Sequence, residues 1–68
     1  MTGTVKTLKK NSGFGFIRGD EDNIEYFFHM TACSSRNVFN EMVEGKTRVR
    51  FEVKDNSKGP RAESVVVI

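Results

Sequence analysis

Apolar and polar residues alternate in several short stretches of the chain, the two-residue period that a half-buried β-strand requires. The clearest case is 46–54, where Val49, Phe51 and Val53 share one face and charged residues occupy the other. The long connection 31–45 is predicted to contain a helical turn near Thr31, and no stretch predicts a helix of ordinary length. The other predicted strands, each bounded by polar or glycine-containing turns, are 3–9, 13–18, 24–30 and 61–68.

Five short strands in 68 residues predict an all-β fold, a small closed antiparallel Greek-key barrel of the OB-fold type. Closure of the sheet leaves no unpaired edge strand. The length predicts one domain over residues 1–68. The predicted core consists of the apolar side chains on the inner strand faces: Val5, Ile17, Tyr26, Phe28, Val49, Phe51, Val53 and Val65.

Aromatic residues also occupy the opposite strand faces. Phe14 and Phe16 are two residues apart and therefore share a face, and the same rule places Phe27 and His29 together. If the two strands pair, these rings form one platform. Gly13 and Gly15 are predicted to leave bare backbone beside the rings, a surface that suits stacking by unpaired nucleic-acid bases.

Composition narrows the function classes. The net charge of +2 permits phosphate binding without requiring it, and Cys33 has no partner for a disulfide. No secretory signal or membrane span is recognisable, which predicts a soluble cytoplasmic protein. No residues are spaced for nucleophilic catalysis, for metal binding or for a dinucleotide cofactor, so no enzyme, cofactor, small-molecule substrate or membrane partner is expected. A monomer is the favoured state.

Several motifs occur together in the order typical of one family. These are Gly3-Thr4-Val5-Lys6, Gly13-Phe14-Gly15-Phe16-Ile17, Phe27-Phe28-His29, Glu44-Gly45 and Lys58-Gly59-Pro60-Arg61-Ala62. The chain resembles the cold-shock proteins over nearly its whole length, and the second and third motifs resemble their two ribonucleoprotein motifs. The resemblance implies a five-stranded barrel that binds single-stranded RNA and DNA, often pyrimidine-rich, and that acts in many members as an RNA chaperone.

The chain departs from the family pattern at residues that would contact nucleic acid. Thr7 and Leu8 stand where the family usually has Trp and Phe, Ser12 where it has Lys, and Met30 where it has Phe. The loop between the second motif and Gly45 is also slightly longer. Each departure removes a stacking surface or a phosphate contact, so we expect weaker binding than in relatives that keep these residues.

The residues predicted to bind nucleic acid are Lys6, Phe14, Phe16, Phe27, His29, Met30 and Phe39. Each has an alternative structural role. The phenylalanines near the glycines could be core residues, Phe39 could plug the barrel beneath its loop, and Met30 could fill core space. The lysines near the platform, and the Arg48-Arg50-Lys54 stripe, could be merely solvated. The acidic turn 20–22 is expected to lie away from the bound strand, and Cys33 to be buried.

The favoured function is therefore binding of single-stranded nucleic acid without catalysis. Two alternatives remain. The barrel could serve mainly as a protein-interaction module, because an exposed aromatic patch also suits a protein partner. An RNA-recognition motif has a similar glycine-aromatic pattern but requires two helices across its sheet, which the sequence does not predict.

Overall fold

Five strands form a closed barrel in the computed structural model, which describes residues 1–56 and 59–68. They are β1 (Thr2–Lys9), β2 (Phe14–Gly19), β3 (Glu25–His29), β4 (Arg48–Asn56) and β5 (Gly59–Val67). Around the barrel the order is β1-β2-β3-β5-β4, and pairing of β1 with β4 closes it. The all-β OB-fold predicted from the sequence is confirmed.

The β3–β5 seam is the one place where neighbouring strands run parallel, and in the described residues its ladder holds a single residue pair, Phe27 with Arg61. An isolated parallel bridge between Cys33 and Val65 continues this contact beyond the end of β3. The other strand pairs are antiparallel and have longer ladders. The seam is therefore held by fewer main-chain hydrogen bonds than the rest of the barrel.

Two short helical elements fill the connection between β3 and β4. A 3₁₀ turn covers Met30–Ala32, which agrees with the helical turn predicted near Thr31. A six-residue helix, α1 (Arg36–Glu41), follows and was not predicted. Ser35 caps α1, because its side-chain oxygen accepts a hydrogen bond from the backbone N–H of Val38 at 3.2 Å. The helix has fewer than two turns, too short to show a clear helical period.

The barrel interior contains the predicted core with one exception. Val53 was predicted to be buried and is 38% exposed. The β1–β4 ladder ends at Arg50 and Met1 contacts Phe51 just beyond it, so past Phe51 β4 pairs only with β5 and has no closed barrel interior to face. The remaining predicted core residues are buried, and Phe39 and Met42 from the α1 region, together with Cys33 and Ala62, complete the core.

A β-bulge in β1 sets which side chains face outward. Val5 pairs with Ile17 and Thr7 pairs with Phe16, so Lys6 is the extra residue between two regular pairs. A second irregularity lies in β5, where Ser64 has a φ of 52° opposite the Arg50–Glu52 stretch of β4. Because of the first bulge, Thr7 rather than Lys6 lies directly beside the ring of Phe16.

Side-chain hydrogen bonds stabilise the turn between β2 and β3. The buried Tyr26 donates its hydroxyl to the Asp22 carboxylate, and this hydrogen bond raises the pKa of Tyr26 to about 12. Asp20 accepts two hydrogen bonds from the Arg48 guanidinium, at 2.8 and 2.6 Å. With a further hydrogen bond from Thr2, these contacts lower the pKa of Asp20 to about 2. The acidic turn is thereby tied to the end of the barrel.

The hairpin between β4 and β5 is longer than predicted. The predicted turn 55–60 overlaps both strands, because β4 continues to Asn56 and β5 begins at Gly59. Ser57 and Lys58, within that predicted turn, lie outside the described residues. None of the helices in the described part of the chain is long and apolar enough to cross a membrane.

Candidate nucleic-acid interface

The outer face of β1, β2 and β3 carries its side chains in three rows, fixed by the strand register. Phe16 has Thr7 on one side and Phe27 on the other, which forms the middle row. The two flanking rows are Lys9–Phe14–His29 and Thr4–Arg18–Glu25. The predicted aromatic residues of both motifs are thus brought together on one face.

Three phenylalanines form a contiguous cluster at the centre of this face. The ring centroids of Phe14 and Phe27 are 5.5 Å apart, and those of Phe16 and Phe27 are 5.9 Å apart. Phe14 and Phe16 meet edge to face at 6.1 Å. All three side chains are half-buried, whereas their neighbours Ile17, Tyr26 and Phe28 are inside the barrel. We call the surface formed by Phe14, Phe16, Phe27 and His29 the aromatic face.

The two motif glycines do something other than leave bare backbone beside the rings. Gly15 faces the interior, where a Cβ atom would lie 2.9 Å from the ring of Phe28 and 2.5 Å from the Thr7 carbonyl oxygen. Gly13 has a φ of 75° in the turn before β2, and its carbonyl accepts a hydrogen bond from the Met30 N–H at 2.8 Å. Gly15 therefore lets the ring of Phe28 pack behind the aromatic face, and Gly13 forms the turn at one end of that face.

His29 is held in a fixed orientation beside Phe14. Its Nδ1 accepts the backbone N–H of Thr31 at 3.2 Å and lies 2.9 Å from the Thr31 hydroxyl. Because Nδ1 accepts a hydrogen bond from an N–H group, the neutral ring carries its proton on Nε2. The ring therefore presents a flat surface and an Nε2–H donor that the Thr31 contacts leave free, both useful for contacting a base.

The cationic side chains around the aromatic face differ in their partners. Lys6 is exposed and forms an ion pair with Glu25, 2.8 Å between Nζ and Oε2. This hydrogen bond lowers the pKa of Glu25. Lys9, in the row with Phe14, is exposed and has no ion pair within residues 1–56 and 59–68. A phosphate at Lys6 would have to compete with Glu25, whereas one at Lys9 would not.

Two predicted site residues lie elsewhere. Phe39 is 1% exposed, and its ring packs edge to face against Phe28 at 6.0 Å. A ring so buried has no free surface for a base, so this structure contradicts the predicted nucleic-acid contact of Phe39 and agrees with the alternative of a core plug. Met30 is half-buried, packs against the core and has its sulfur next to Gly13.

An open groove adjoins the Lys9–Phe14 end of the aromatic face. It has a volume of about 690 Å³, is lined by apolar and polar residues, and lies between the β1–β2 turn and the segment after α1. One lining residue, Lys10, donates to the backbone carbonyl of Asn40 at 2.8 Å. The lining residues are Leu8, Lys9, Lys10, Asn11, Ser12, Met42, Val43 and Glu44. Leu8 and Ser12, two departures from the family pattern, thus line one groove.

Arg61 is a residue of this region that was not among the predicted site residues. Its pairing with Phe27 across the β3–β5 seam brings its guanidinium carbon to 5.9 Å from the centre of the Phe27 ring. The sequence showed Arg61 only as part of a family-like segment. A parallel pairing between strands far apart in sequence cannot be recognised from the alternation of residues, so its position beside the ring was not predictable.

Comparisons with known proteins agree with this architecture. The family described as the 'Cold-shock' DNA-binding domain matches residues 1–68. Cold shock-like protein CspG of Escherichia coli (strain K12) is 38% identical over 68 residues, 100% of this chain and 94% of that protein. The cold shock-like protein of Aquifex aeolicus (strain VF5) is 38% identical over 66 residues, 97% of this chain and 91% of the relative. CspE of Escherichia coli (strain K12) is 36% identical over 68 residues, 100% of this chain and 96% of its own length. The protein belongs to the cold-shock domain family, whose members bind nucleic acids.

Proposed function

We propose that this protein binds single-stranded RNA and DNA on its aromatic face and acts as an RNA chaperone without catalysing a reaction. The observation that carries the proposal is the cluster of three half-exposed phenylalanine rings, with His29 beside them, on one open sheet face. Every base has a flat surface, so such a cluster accepts many sequences, and pyrimidine-rich strands are the family-like preference.

Binding in this mode favours the unpaired state of the nucleic acid. A base in a duplex already stacks on its neighbours and offers no free face to Phe16 or Phe27. A strand that is transiently open can be trapped, and the equilibrium of a hairpin then moves towards the melted form. The differential affinity for the open strand supplies the free energy, so no nucleotide hydrolysis is needed.

Lysine contacts add a modest electrostatic contribution. Lys6 and Lys9 are the lysines closest to the aromatic rows in the described register, and Lys6 is already paired with Glu25. We expect about two to four phosphate contacts, which gives a slope of log affinity against log salt of about −1.4 to −2.8 for a single strand. A slope steeper than about −5 would instead mean that the Arg48-Arg50-Lys54 stripe takes part.

The decisive experiment is a titration of the protein with a fluorescent oligo-dT strand and with a random-sequence duplex of the same length. We expect clear binding of the single strand and much weaker binding of the duplex. A labelled RNA hairpin, titrated in parallel without ATP, should open as the protein is added. Equal affinity for the strand and the duplex would contradict the proposal, and no binding of either would favour the protein-interaction alternative.

A further inference from the structure

We propose that Arg61 recognises guanine in a nucleotide stacked on Phe27, so that this protein prefers strands with a guanine at that position. The inference rests on the proposed function, because it requires a base on the aromatic face. It adds a base-specific contact to a surface that otherwise recognises only flat rings.

The first observation is the position of the guanidinium. Its central carbon lies 5.9 Å from the centroid of the Phe27 ring, near the outer limit of a cation–π contact. A base stacked on Phe27 would therefore have its edge within reach of Arg61.

The second observation is an unused donor. The Nε atom of Arg61 is buried and has no hydrogen-bond partner within the described residues. Glu63 is the nearest acid, but its Oε2 lies 4.0 Å from Nε, which is an ion-pair distance and too long for a hydrogen bond. Buried donors in native proteins are usually satisfied. Because Nε is buried while the side chain as a whole is 40% exposed, the terminal Nη groups are the donors that a ligand can reach, and Glu63 lies on the Nε side.

The third observation is the space next to the guanidinium. A cleft of about 360 Å³ lies between the 3₁₀ turn and β5, lined by Thr31, Ala32, Arg61, Glu63 and Ser64. Thr31 also holds the ring of His29, so the cleft borders the aromatic face. Arg61 lines this cleft and also approaches Phe27, so it connects the cleft with the aromatic face.

The chemistry favours guanine among the four bases. Guanine offers two adjacent acceptors, O6 and N7, which match the paired donors of a planar guanidinium. Adenine has the same ring size and stacking surface but presents an amino donor in place of O6, so Arg61 would meet a donor there. A single bidentate contact of this kind discriminates by about tenfold or more.

The test compares short oligo-dT strands in which one central dT is replaced by dG, by dA or by dI. For the unaltered protein, we expect the dG strand to bind about tenfold more tightly than the dA strand. The dI strand should behave as the dG strand does, because inosine keeps O6 and N7. Guanine and adenine have similar stacking areas and all strands carry the same charge. A difference in affinity between the dG and dA strands therefore reports the contact with the base edge.

Three variants locate the preference. Arg61→Lys keeps the charge but loses the planar pair of donors, so it should retain the salt slope and lose the preference for dG over dA. Arg61→Gln removes the guanidinium and its charge, so it should also lose the preference for dG over dA. Arg50→Gln is the matched control, because Arg50 is an exposed arginine on β4. It should keep the preference.

The outcomes separate this inference from the proposed function. If the unaltered protein and both Arg61 variants bind the strands with the same order of preference, Arg61 does not recognise guanine, although binding of single strands stands. If Arg50→Gln abolishes the preference as fully as Arg61→Gln does, the effect is one of charge and the inference fails. If the unaltered protein binds none of the strands, both proposals are wrong.

Discussion

The inner and outer aromatic groups of the barrel have similar contacts and different exposure. In the inner group, the ring centroids of Tyr26 and Phe51 are 5.3 Å apart and those of Phe28 and Phe39 are 6.0 Å apart. The outer rings, Phe14, Phe16 and Phe27, meet at 5.5 to 6.1 Å. The inner side chains are at most 4% exposed, whereas the outer ones are half-buried.

The comparison shows that packing alone does not account for the outer group. The outer faces of β4 and β5 carry charged and aliphatic residues, yet these two strands form a long antiparallel ladder. The sheet can therefore form without aromatic side chains outside. We expect the inner aromatic side chains to contribute mainly to the stability of the fold and the outer ones mainly to nucleic-acid binding. Substitutions in the two groups test this expectation.

The largest effect is expected for Phe28→Ala. The side chain is 0% exposed and fills the space next to Gly15, so its removal leaves a cavity in a small core. Such a truncation costs about 3–5 kcal/mol of stability. That loss is comparable with the whole free energy of unfolding of a small domain, so the variant should be largely unfolded at room temperature. A thermal melt followed by circular dichroism measures it.

Phe27→Ala is the matched control on the adjacent residue, and its main effect should be on binding. Loss of one base stack costs about 1–3 kcal/mol of binding free energy. The variant should still fold, although it loses ring contacts with Phe14 and Phe16. Oligonucleotide titrations and melts on both variants decide the division. The reverse pattern, an unfolded Phe27→Ala and a folded but weakly binding Phe28→Ala, would contradict the facing of β3.

A gain of binding is expected for Thr7→Trp. Thr7 lies beside Phe16 on the outer face and is half-buried, so an indole there would extend the aromatic face by one more ring. One added base stack strengthens binding by roughly 1–3 kcal/mol. The free energy of unfolding should change little. Titration with oligo-dT, and quenching of the new tryptophan fluorescence on binding, measure the gain. Unchanged affinity would mean that the bound strand does not pass over Thr7.

The smallest effect concerns acid stability at the turn between β2 and β3. The hydrogen bonds from Arg48, which have the larger effect, and from Thr2 lower the pKa of Asp20 from 3.8 to about 2. The carboxylate therefore stabilises the fold above pH 3.8, and this contribution is lost as the pH falls through about 2. Asp20→Asn should show a smaller loss of stability between those pH values than the unaltered protein. Urea midpoints at both ends of the range measure the difference, and identical pH dependence would contradict it.

The sequence predicted whether a side chain points into or out of the barrel better than it predicted which distant elements surround that side chain. Alternation of side chains is local, so it correctly assigned Tyr26 and Phe28 to the interior and Phe27 to the outside. Whether the barrel still has an interior at a given point depends on distant strands, which is why Val53 was placed wrongly. The position of Phe39 depends on a six-residue helix whose packing against Phe28 has no local signature.

Side-chain partners were the least predictable feature. The ion pair between Lys6 and Glu25 spans two strands and depends on the bulge in β1, which one extra residue creates without a distinctive motif. The approach of Arg61 to Phe27 depends on the parallel seam. The aromatic residues of the predicted site were recognisable from the sequence, whereas the charged groups around them required the three-dimensional register.

The short ladder between β3 and β5 has a consequence for how the molecule opens. A seam with one ladder pair and one isolated bridge has little main-chain protection, so it is where the barrel should open first, without global unfolding. Amide protons of β5 beside the seam should then exchange with solvent faster than those within the β1–β2 ladder. A nucleotide that touches both Phe27 and Arg61 would bridge the two edges, and ligand binding would slow exchange there more than anywhere else in the barrel.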